Sequence, residues 1–173
     1  MRDVIDEKSR LDQFANEARR YVHWAAGKTI EGMEVRVALR KIVALYAAAL
    51  RLPTPYSNGA SNSDEDDRVD SGETKLIYER ASTLPFKNYG VIFDPLLIPP
   101  EEPVVGDIAD DIAEIYRDVA SGLRLYEAGN AVEARWEWSF NFQFHWGGHA
   151  SSAIRALHCY LAETDVNGLT SGA

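Results

Sequence analysis

Two histidines and three acidic residues are the side chains in this sequence whose types and spacing suit chemistry. His145 and His149 lie four positions apart, so a helix would carry both imidazoles on one face, as helical two-histidine metal sites do. Asp111, Glu114 and Asp118 are spaced three and four positions apart and would share one face of another helix. Nitrogen and carboxylate ligands together suit zinc, manganese or iron. The cofactor is unknown from the sequence, and this set of residues is the candidate site for a divalent metal.

A purely structural interpretation of the same residues stays open. The usual helical zinc signature has a glutamate directly after the first histidine, and this chain has Trp146 there. Each histidine would then be a buried side chain satisfied by a hydrogen bond, with one of the same carboxylates as its partner. Asp111 would be a first-turn anion stabilised by the helix dipole, while Glu114 and Asp118 would face water or pair with arginines.

The helix that would position the histidines runs through an aromatic stretch, residues 136–161. Its apolar side chains surround the helical wheel almost completely, which is typical of a helix enclosed by other helices. Charged and polar residues recur along it, so it is not a membrane span. Gly147 and Gly148 each cost a helix about 1 kcal/mol relative to alanine. They predict a closely packed neighbouring helix, a bound ligand or a kink at this point.

The density of aromatic residues in this stretch also permits a flat apolar ligand pocket. A wall of the hydrophobic core is the competing interpretation. The candidates for ligand contact are Trp138, Asn141, Phe142, Trp146 and Tyr116.

Hydrophobic periodicity predicts an all-α fold, in which one domain of residues 1–173 forms a bundle of four to five helices around a buried C-terminal helix. The predicted helices span about 9–27, 29–52, 73–84, 107–127 and 130–164. Capping residues and prolines set most of these bounds, with Asp107 as an N-cap and with Pro53 and Pro85 as stops.

The remaining segments have different expected roles. Residues 57–72 are small, polar and acidic, which predicts a mobile surface loop. Residues 85–103 are rich in proline and apolar side chains, which suggests a strap lying across the helices. A short strand at 89–93 is compatible with this strap, although no nearby segment offers it a partner. Residues 1–8 are expected to fray, and residues 165–173 to form a disordered tail.

Composition narrows the function classes. The net charge of −9 argues against general nucleic-acid binding, because phosphate contacts depend on basic side chains. The single cysteine excludes an internal disulfide and a multi-thiolate zinc site. The sequence contains no phosphate-binding glycine loop and no nucleophile elbow. Its charged opening residues do not form a signal peptide, so a cytoplasmic location is expected.

Several segments together carry a resemblance to a known family. They are DDIAEIYRDV (110–119), WEWSFNFQFHWGGH (136–149) and ALHCYL (156–161), with further likeness in LYAAALRLP (45–53) and YGVIFDPL (89–96). This pattern, an acidic DDxxxxIYRD helix followed by an aromatic helix with HWGxH, resembles an uncharacterised bacterial family described only as a domain of unknown function. The likeness implies a fold and a neighbourhood of residues, but no reaction. Glu114 stands where the family pattern leads us to expect an aspartate, a change that keeps the carboxylate.

Hypotheses from different functional classes remain. The leading one is a non-catalytic cytoplasmic module that binds a protein or a small ligand, and it requires an exposed apolar patch. The alternative is a metal-dependent, hydrolase-like enzyme in which the metal activates water and a carboxylate acts as general base. A self-associating homodimer is a further interpretation.

Overall fold

Six α-helices and one short β-hairpin make up the described part of the chain. The structure is a computed structural model that describes the backbone of residues 2–52 and 69–170, and the side chains of residues 7–52 and 69–165. In chain order the elements are α1 (Arg2–Ala25), α2 (Val35–Ala49), α3 (Ser71–Ala81), β1 (Asn88–Val91), β2 (Val104–Asp107), α4 (Ile108–Glu127), α5 (Ala131–Phe144) and α6 (Trp146–Thr170). The predicted all-α fold is confirmed.

Helix α4 carries the carboxylates and packs against α1, α3, α5 and α6. Its start is fixed by Asp107, whose side chain accepts hydrogen bonds from the backbone N–H groups of Ala109 and Asp110 at 2.9 and 3.5 Å. Of its 20 residues, 14 are buried, including Asp111 and Asp118. Because a buried charge is expensive without a partner, these two aspartates must find partners on a neighbouring helix.

The aromatic stretch is two helices, not the single helix that periodicity predicts. The break falls at His145, whose backbone angles of φ −143° and ψ −86° are not helical. A Cβ on Gly147 would lie 2.1 Å from the backbone oxygen of Phe142, so the chain can pass this point only with glycine. Of the three explanations offered for the glycine pair, the structure therefore shows the kink.

Helix α5 is not enclosed on all sides, although the composition of this stretch predicts that it would be. Trp138 is fully buried, but Phe140 and Phe144 are 38% and 64% exposed. The rings of Trp136, Phe140 and Phe144 cover one another along the surface instead, with centroid separations of 4.8 and 4.9 Å. In α6 the buried side is narrow and includes Trp146 and Leu157.

The hairpin corrects the expectation that the strand near residues 89–93 has no partner. β1 pairs with β2 in antiparallel register, with Tyr89 opposite Gly106, so the strand does have a partner. Residues 93–105, which form most of the connection and the first two positions of β2, are exposed. Phe86, just before the hairpin, stacks on Tyr160 of α6 at 4.9 Å and holds its base against the bundle.

Several bounds also differ from the expected ones. α1 already begins at Arg2, α2 begins only at Val35, and α6 continues to Thr170. Residues 53–68, which include most of the expected acidic loop, lie outside the described residues, as do residues 171–173. At the end of that loop, Val69 is buried and Asp70 caps α3 by accepting from the N–H of Glu73 at 2.7 Å. None of the described helices has the length and apolar character needed to cross a membrane.

Candidate metal centre

His145, at the break between α5 and α6, is held by a buried carboxylate of α4. Its Nδ1 lies 2.6 Å from Oδ2 of Asp118, and Asp118 is only 8% exposed. In the neutral imidazole the Nδ1–H group donates to this carboxylate, which leaves Nε2 as the nitrogen with a free lone pair. The break in the helix thus places a histidine whose orientation is fixed.

His149, one turn along α6, is held in the same way by Asp111. Its Nδ1 lies 2.8 Å from Oδ1 of Asp111, which is 5% exposed. The second oxygen of this carboxylate accepts a hydrogen bond from the hydroxyl of Tyr89 in β1 at 2.5 Å. A single buried carboxylate therefore connects the hairpin to the histidine.

Glu114 occupies the position on α4 between these two aspartates. It is three residues after Asp111 and four before Asp118, so all three carboxylates share one helical face. Oε2 of Glu114 lies 3.6 Å from Nε2 of His145. One ligand atom from each of Glu114, His145 and His149 can be chosen so that all three lie within 4.8 Å of one another. The two imidazole rings are 5.0 Å apart.

Arg117 lies beside this group and orients Glu114. Its NH1 and NH2 nitrogens contact Oε1 and Oε2 of Glu114 at 3.1 and 2.6 Å, and its Nε lies 3.5 Å from Oδ1 of Asp118. Three carboxylates against one guanidinium leave a net charge of −2 when both histidines are neutral. Such an excess of negative charge on one partly buried face favours a cation.

The electrostatics of the group shift two pKa values. The hydrogen bond from His149 to Asp111 raises the pKa of the imidazole, and the negative charges of Asp111, Glu114 and Asp110 act in the same direction against burial. Burial, followed by the hydrogen bond to Asp111, raises the pKa of Tyr89 well above its usual range. Tyr89 is therefore a neutral donor throughout the physiological pH range.

All five residues predicted as metal ligands come together, but in two different roles. Glu114, His145 and His149 present the converging atoms. Asp111 and Asp118 instead hold the histidine rings through Nδ1, which is the hydrogen-bonded arrangement that the structural interpretation describes. These carboxylates also match the outer partners that metal-binding histidines usually have, so the two interpretations are compatible.

The five residues predicted to contact a ligand have other surroundings. Trp138 and Trp146 are core residues, and the indole N–H of Trp138 donates to the carbonyl of Val119 at 3.0 Å. Phe142 packs between Tyr46 and Trp146, Asn141 bonds Glu137 at 2.9 Å, and the Tyr116 hydroxyl donates to Glu73. A cavity of about 280 Å³ lies elsewhere and includes none of these side chains; it is lined by Asn16, Arg19, Arg20, His23, Thr29 and Lys41.

Two residues of the site were not among the sequence candidates. The opposite charge of Arg117, three positions after Glu114, was a usable signal in the sequence. Tyr89 had no such signal, because its contact with Asp111 depends on the hairpin and spans 22 positions of the chain.

Comparisons with known proteins agree with this fold. A crystal structure of protein BF1032 from Bacteroides fragilis is similar, with a TM-score of 0.67 and 18% sequence identity over 86% of this chain and 90% of that chain. No curated protein matches this chain. A family model described as a domain of unknown function, DUF5063, matches residues 5–163. The expected resemblance is thereby confirmed, and the chain belongs to the DUF5063 family.

Proposed function

We propose that this protein binds one divalent transition-metal ion through Nε2 of His145, Nε2 of His149 and the carboxylate of Glu114. The observation that carries the proposal is the convergence of three ligand atoms, while buried aspartates hold Nδ1 of both histidines. Metal-binding histidines almost always donate their other ring N–H to a carboxylate, a carbonyl or water. Two such pairs facing one glutamate are more specific than a histidine pair alone.

The spacing of the atoms supports the same conclusion. Two ligands that each lie 2.0–2.1 Å from a tetrahedral zinc ion are about 3.3 Å apart. The distance of 3.6 Å between Nε2 of His145 and Oε2 of Glu114 is close to this value. The limit of 4.8 Å for the whole set exceeds it by more than an ångström, so the ligand atoms would have to move closer together around a bound ion.

The net charge of the site also supports metal binding. A divalent ion would neutralise the net charge of −2 that Asp111, Glu114, Asp118 and Arg117 leave on this face. Because Arg117 contacts both oxygens of Glu114, it also restrains the carboxylate that would complete the ligand set. Two histidines and a carboxylate suit zinc or iron(II), and manganese is an alternative.

A metal titration tests the proposal. The protein is purified without a metal column, its metal content is measured by elemental analysis, and Zn²⁺, Mn²⁺ and Fe²⁺ are titrated into the metal-free form. We expect one ion per chain and loss of binding in His145→Ala, His149→Ala and Glu114→Gln. The control is His158→Ala, which removes an exposed histidine of the same helix α6. Absence of saturable one-to-one binding, or equal binding by all four variants, would refute the proposal.

A hydrolytic function is the second candidate, and the exposure of the histidines favours it. The side chains of His145 and His149 are 37% and 27% exposed, so a metal held there would be accessible to water. Three protein ligands leave a position for a water molecule, as in catalytic zinc sites. The test is hydrolysis of p-nitrophenyl acetate and p-nitrophenyl phosphate by zinc-loaded protein, with His145→Ala as the inactive variant. A rate equal to that of the zinc-loaded variant would end this hypothesis.

The binding-module hypothesis stays a prediction of the sequence. It requires exposed apolar side chains, and the segment 93–105 supplies them: Phe93, Leu96, Ile98 and Val105 are each at least 76% exposed. The acidic residues Asp94, Glu101 and Glu102 lie in the same segment. Metal binding and this hypothesis are compatible, because the apolar segment belongs to the hairpin and its connection, whereas the ligands lie on α4, at the break between α5 and α6, and on α6.

A further inference from the structure

Tyr89 links the β-hairpin to the histidine site through one carboxylate. Its hydroxyl donates to Oδ2 of Asp111 at 2.5 Å, while Oδ1 of the same residue lies 2.8 Å from Nδ1 of His149. Both oxygens of this buried aspartate are therefore engaged, one by the hairpin and one by the imidazole. The orientation of His149 depends on how firmly that carboxylate is held.

The hairpin holds the Tyr89 ring in place through its cross-strand neighbour. Tyr89 stands opposite Gly106 in the register of β1 and β2. A Cβ on Gly106 would lie 2.5 Å from Cζ of the Tyr89 ring, so any larger residue there would displace the ring. Gly90, the next residue of β1, would place its Cβ in open space with nothing within 4 Å.

We infer that Tyr89 is a positioning residue of the metal site, and that metal binding stabilises the β1–β2 hairpin in return. This inference rests on the proposed metal-binding function. Tyr89 acts through Asp111: its hydroxyl holds one carboxylate oxygen while the other oxygen holds Nδ1 of His149, which restrains the imidazole and leaves Nε2 for the metal. Binding at one end of such a chain of contacts must affect the other end equally, because the coupling free energy is reciprocal.

The expected size of the effect follows from the position of Tyr89 in the chain of contacts. Substituting a direct partner of a metal ligand typically weakens metal affinity 10- to 100-fold. Tyr89 is one hydrogen bond further away than such a partner, so we expect about a 3- to 10-fold loss when its hydroxyl is removed. The same change should abolish most of the protection from hydrogen exchange that metal binding gives to the amides of the hairpin.

The first test compares Tyr89→Phe with Tyr126→Phe. Tyr126 is the matched control because its hydroxyl also donates to an aspartate, Asp12, at 2.6 Å, and the two form a pair apart from the site residues. Zn²⁺ affinity and the visible absorption spectrum of the Co²⁺ form are measured for both variants. We expect weaker Zn²⁺ binding and an altered Co²⁺ spectrum in Tyr89→Phe alone. The spectrum reports the ligand geometry, which a general loss of stability would not change.

The second test moves the tyrosine without removing its hydroxyl. Gly106→Ala should weaken Zn²⁺ binding as Tyr89→Phe does, whereas Gly90→Ala, on the same hairpin, should bind like the wild type. The double variant Tyr89→Phe/Gly106→Ala should lose little more than either single variant, because both act through one contact. Hydrogen exchange of the β1 and β2 amides should slow on Zn²⁺ addition in the wild type and change little in Tyr89→Phe.

The outcomes separate this inference from the function on which it rests. If the wild type fails to bind Zn²⁺, the metal function and the role of Tyr89 are both overturned. If the wild type binds Zn²⁺ and Tyr89→Phe keeps its affinity, its Co²⁺ spectrum and its hairpin protection, only the inference is overturned. Equal losses in Tyr89→Phe and Tyr126→Phe would also overturn it, because the effect would then be a general one.

Discussion

Replacing Asp118 by asparagine isolates the role of the carboxylate that holds His145. The side chain keeps its size and shape, and its amide oxygen can still accept the Nδ1–H bond that is now 2.6 Å long. What disappears is the negative charge. A hydrogen bond that involves a charged group is worth about 1.5–3 kcal/mol, roughly twice the value of a neutral one.

The expected consequence differs between the metal-bound and the metal-free protein. Asp118→Asn weakens the hydrogen bond to His145 and makes Nε2 of that imidazole less basic. The Zn²⁺ dissociation constant should therefore rise about 10- to 100-fold. The metal-free protein should lose little stability, because the substitution also removes one charge from a face that carries Asp111, Glu114 and Asp118. We expect its free energy of unfolding to change by less than about 1 kcal/mol.

Competition with a chromogenic zinc chelator measures the dissociation constant, and urea unfolding of the metal-free protein measures stability. Asp165→Asn is the matched control, because it also removes one negative charge. Asp165 lies on α6, is 64% exposed and pairs with Arg36. Zn²⁺ affinity in Asp118→Asn equal to that of the wild type would show that the charge of Asp118 does not support metal binding. An equal loss of Zn²⁺ affinity in Asp165→Asn would also contradict the prediction, because the long-range effect of the charge would then explain the loss in both variants.

Two further predictions concern the helix break and pH. Gly147→Ala should lower the melting temperature, because its Cβ would lie 2.1 Å from the backbone oxygen of Phe142. In the control variant Gly148→Ala the new Cβ meets nothing within 4 Å, so the free energy of unfolding should rise by up to about 1 kcal/mol. A Gly147→Ala protein as stable as the wild type would contradict the kink. Because Asp111 raises the pKa of His149, its contribution to the stability of the metal-free protein should be fully present below pH about 6.5 and lost as pH rises through the higher folded pKa. Zn²⁺ affinity should increase over the same rise in pH, because the ion displaces the Nε2 proton of His149. Calorimetric titrations between pH 5.5 and 8, about the range in which histidine titrates, measure this dependence. A Zn²⁺ affinity that does not change with pH would contradict the prediction.

The sequence predicted the parts of this protein that depend on local patterns. The capping side chain of Asp107 and the periodic apolar face fixed the start and direction of α4. Given that helix, the spacing of Asp111, Glu114 and Asp118 placed them on one face. The spacing of the histidines indicated that they lie near each other, although only His149 is part of α6. In the structure, hydrogen bonds join His145 to Asp118 and His149 to Asp111.

What the sequence did not predict depends on contacts between distant segments or on backbone geometry. A helical wheel assumes a continuous helix, so it could not show that His145 would leave it. The β2 strand has only four residues, and its partner lies 13 positions earlier, beyond the exposed connection. The division of five ligand candidates into three converging residues and two supporting ones follows from the antiparallel packing of α4 and α6, which spacing alone does not determine.

Anomalous X-ray diffraction from crystals of the zinc-loaded protein would show which atoms bind the ion. We expect one strong peak at the zinc edge, bonded to Nε2 of His145, Nε2 of His149 and a carboxylate oxygen of Glu114. Asp111 and Asp118 should remain on the Nδ1 atoms, outside bonding distance of the ion. A peak bonded to either of those aspartates, or a zinc ion bound elsewhere with this site empty, would contradict this expectation.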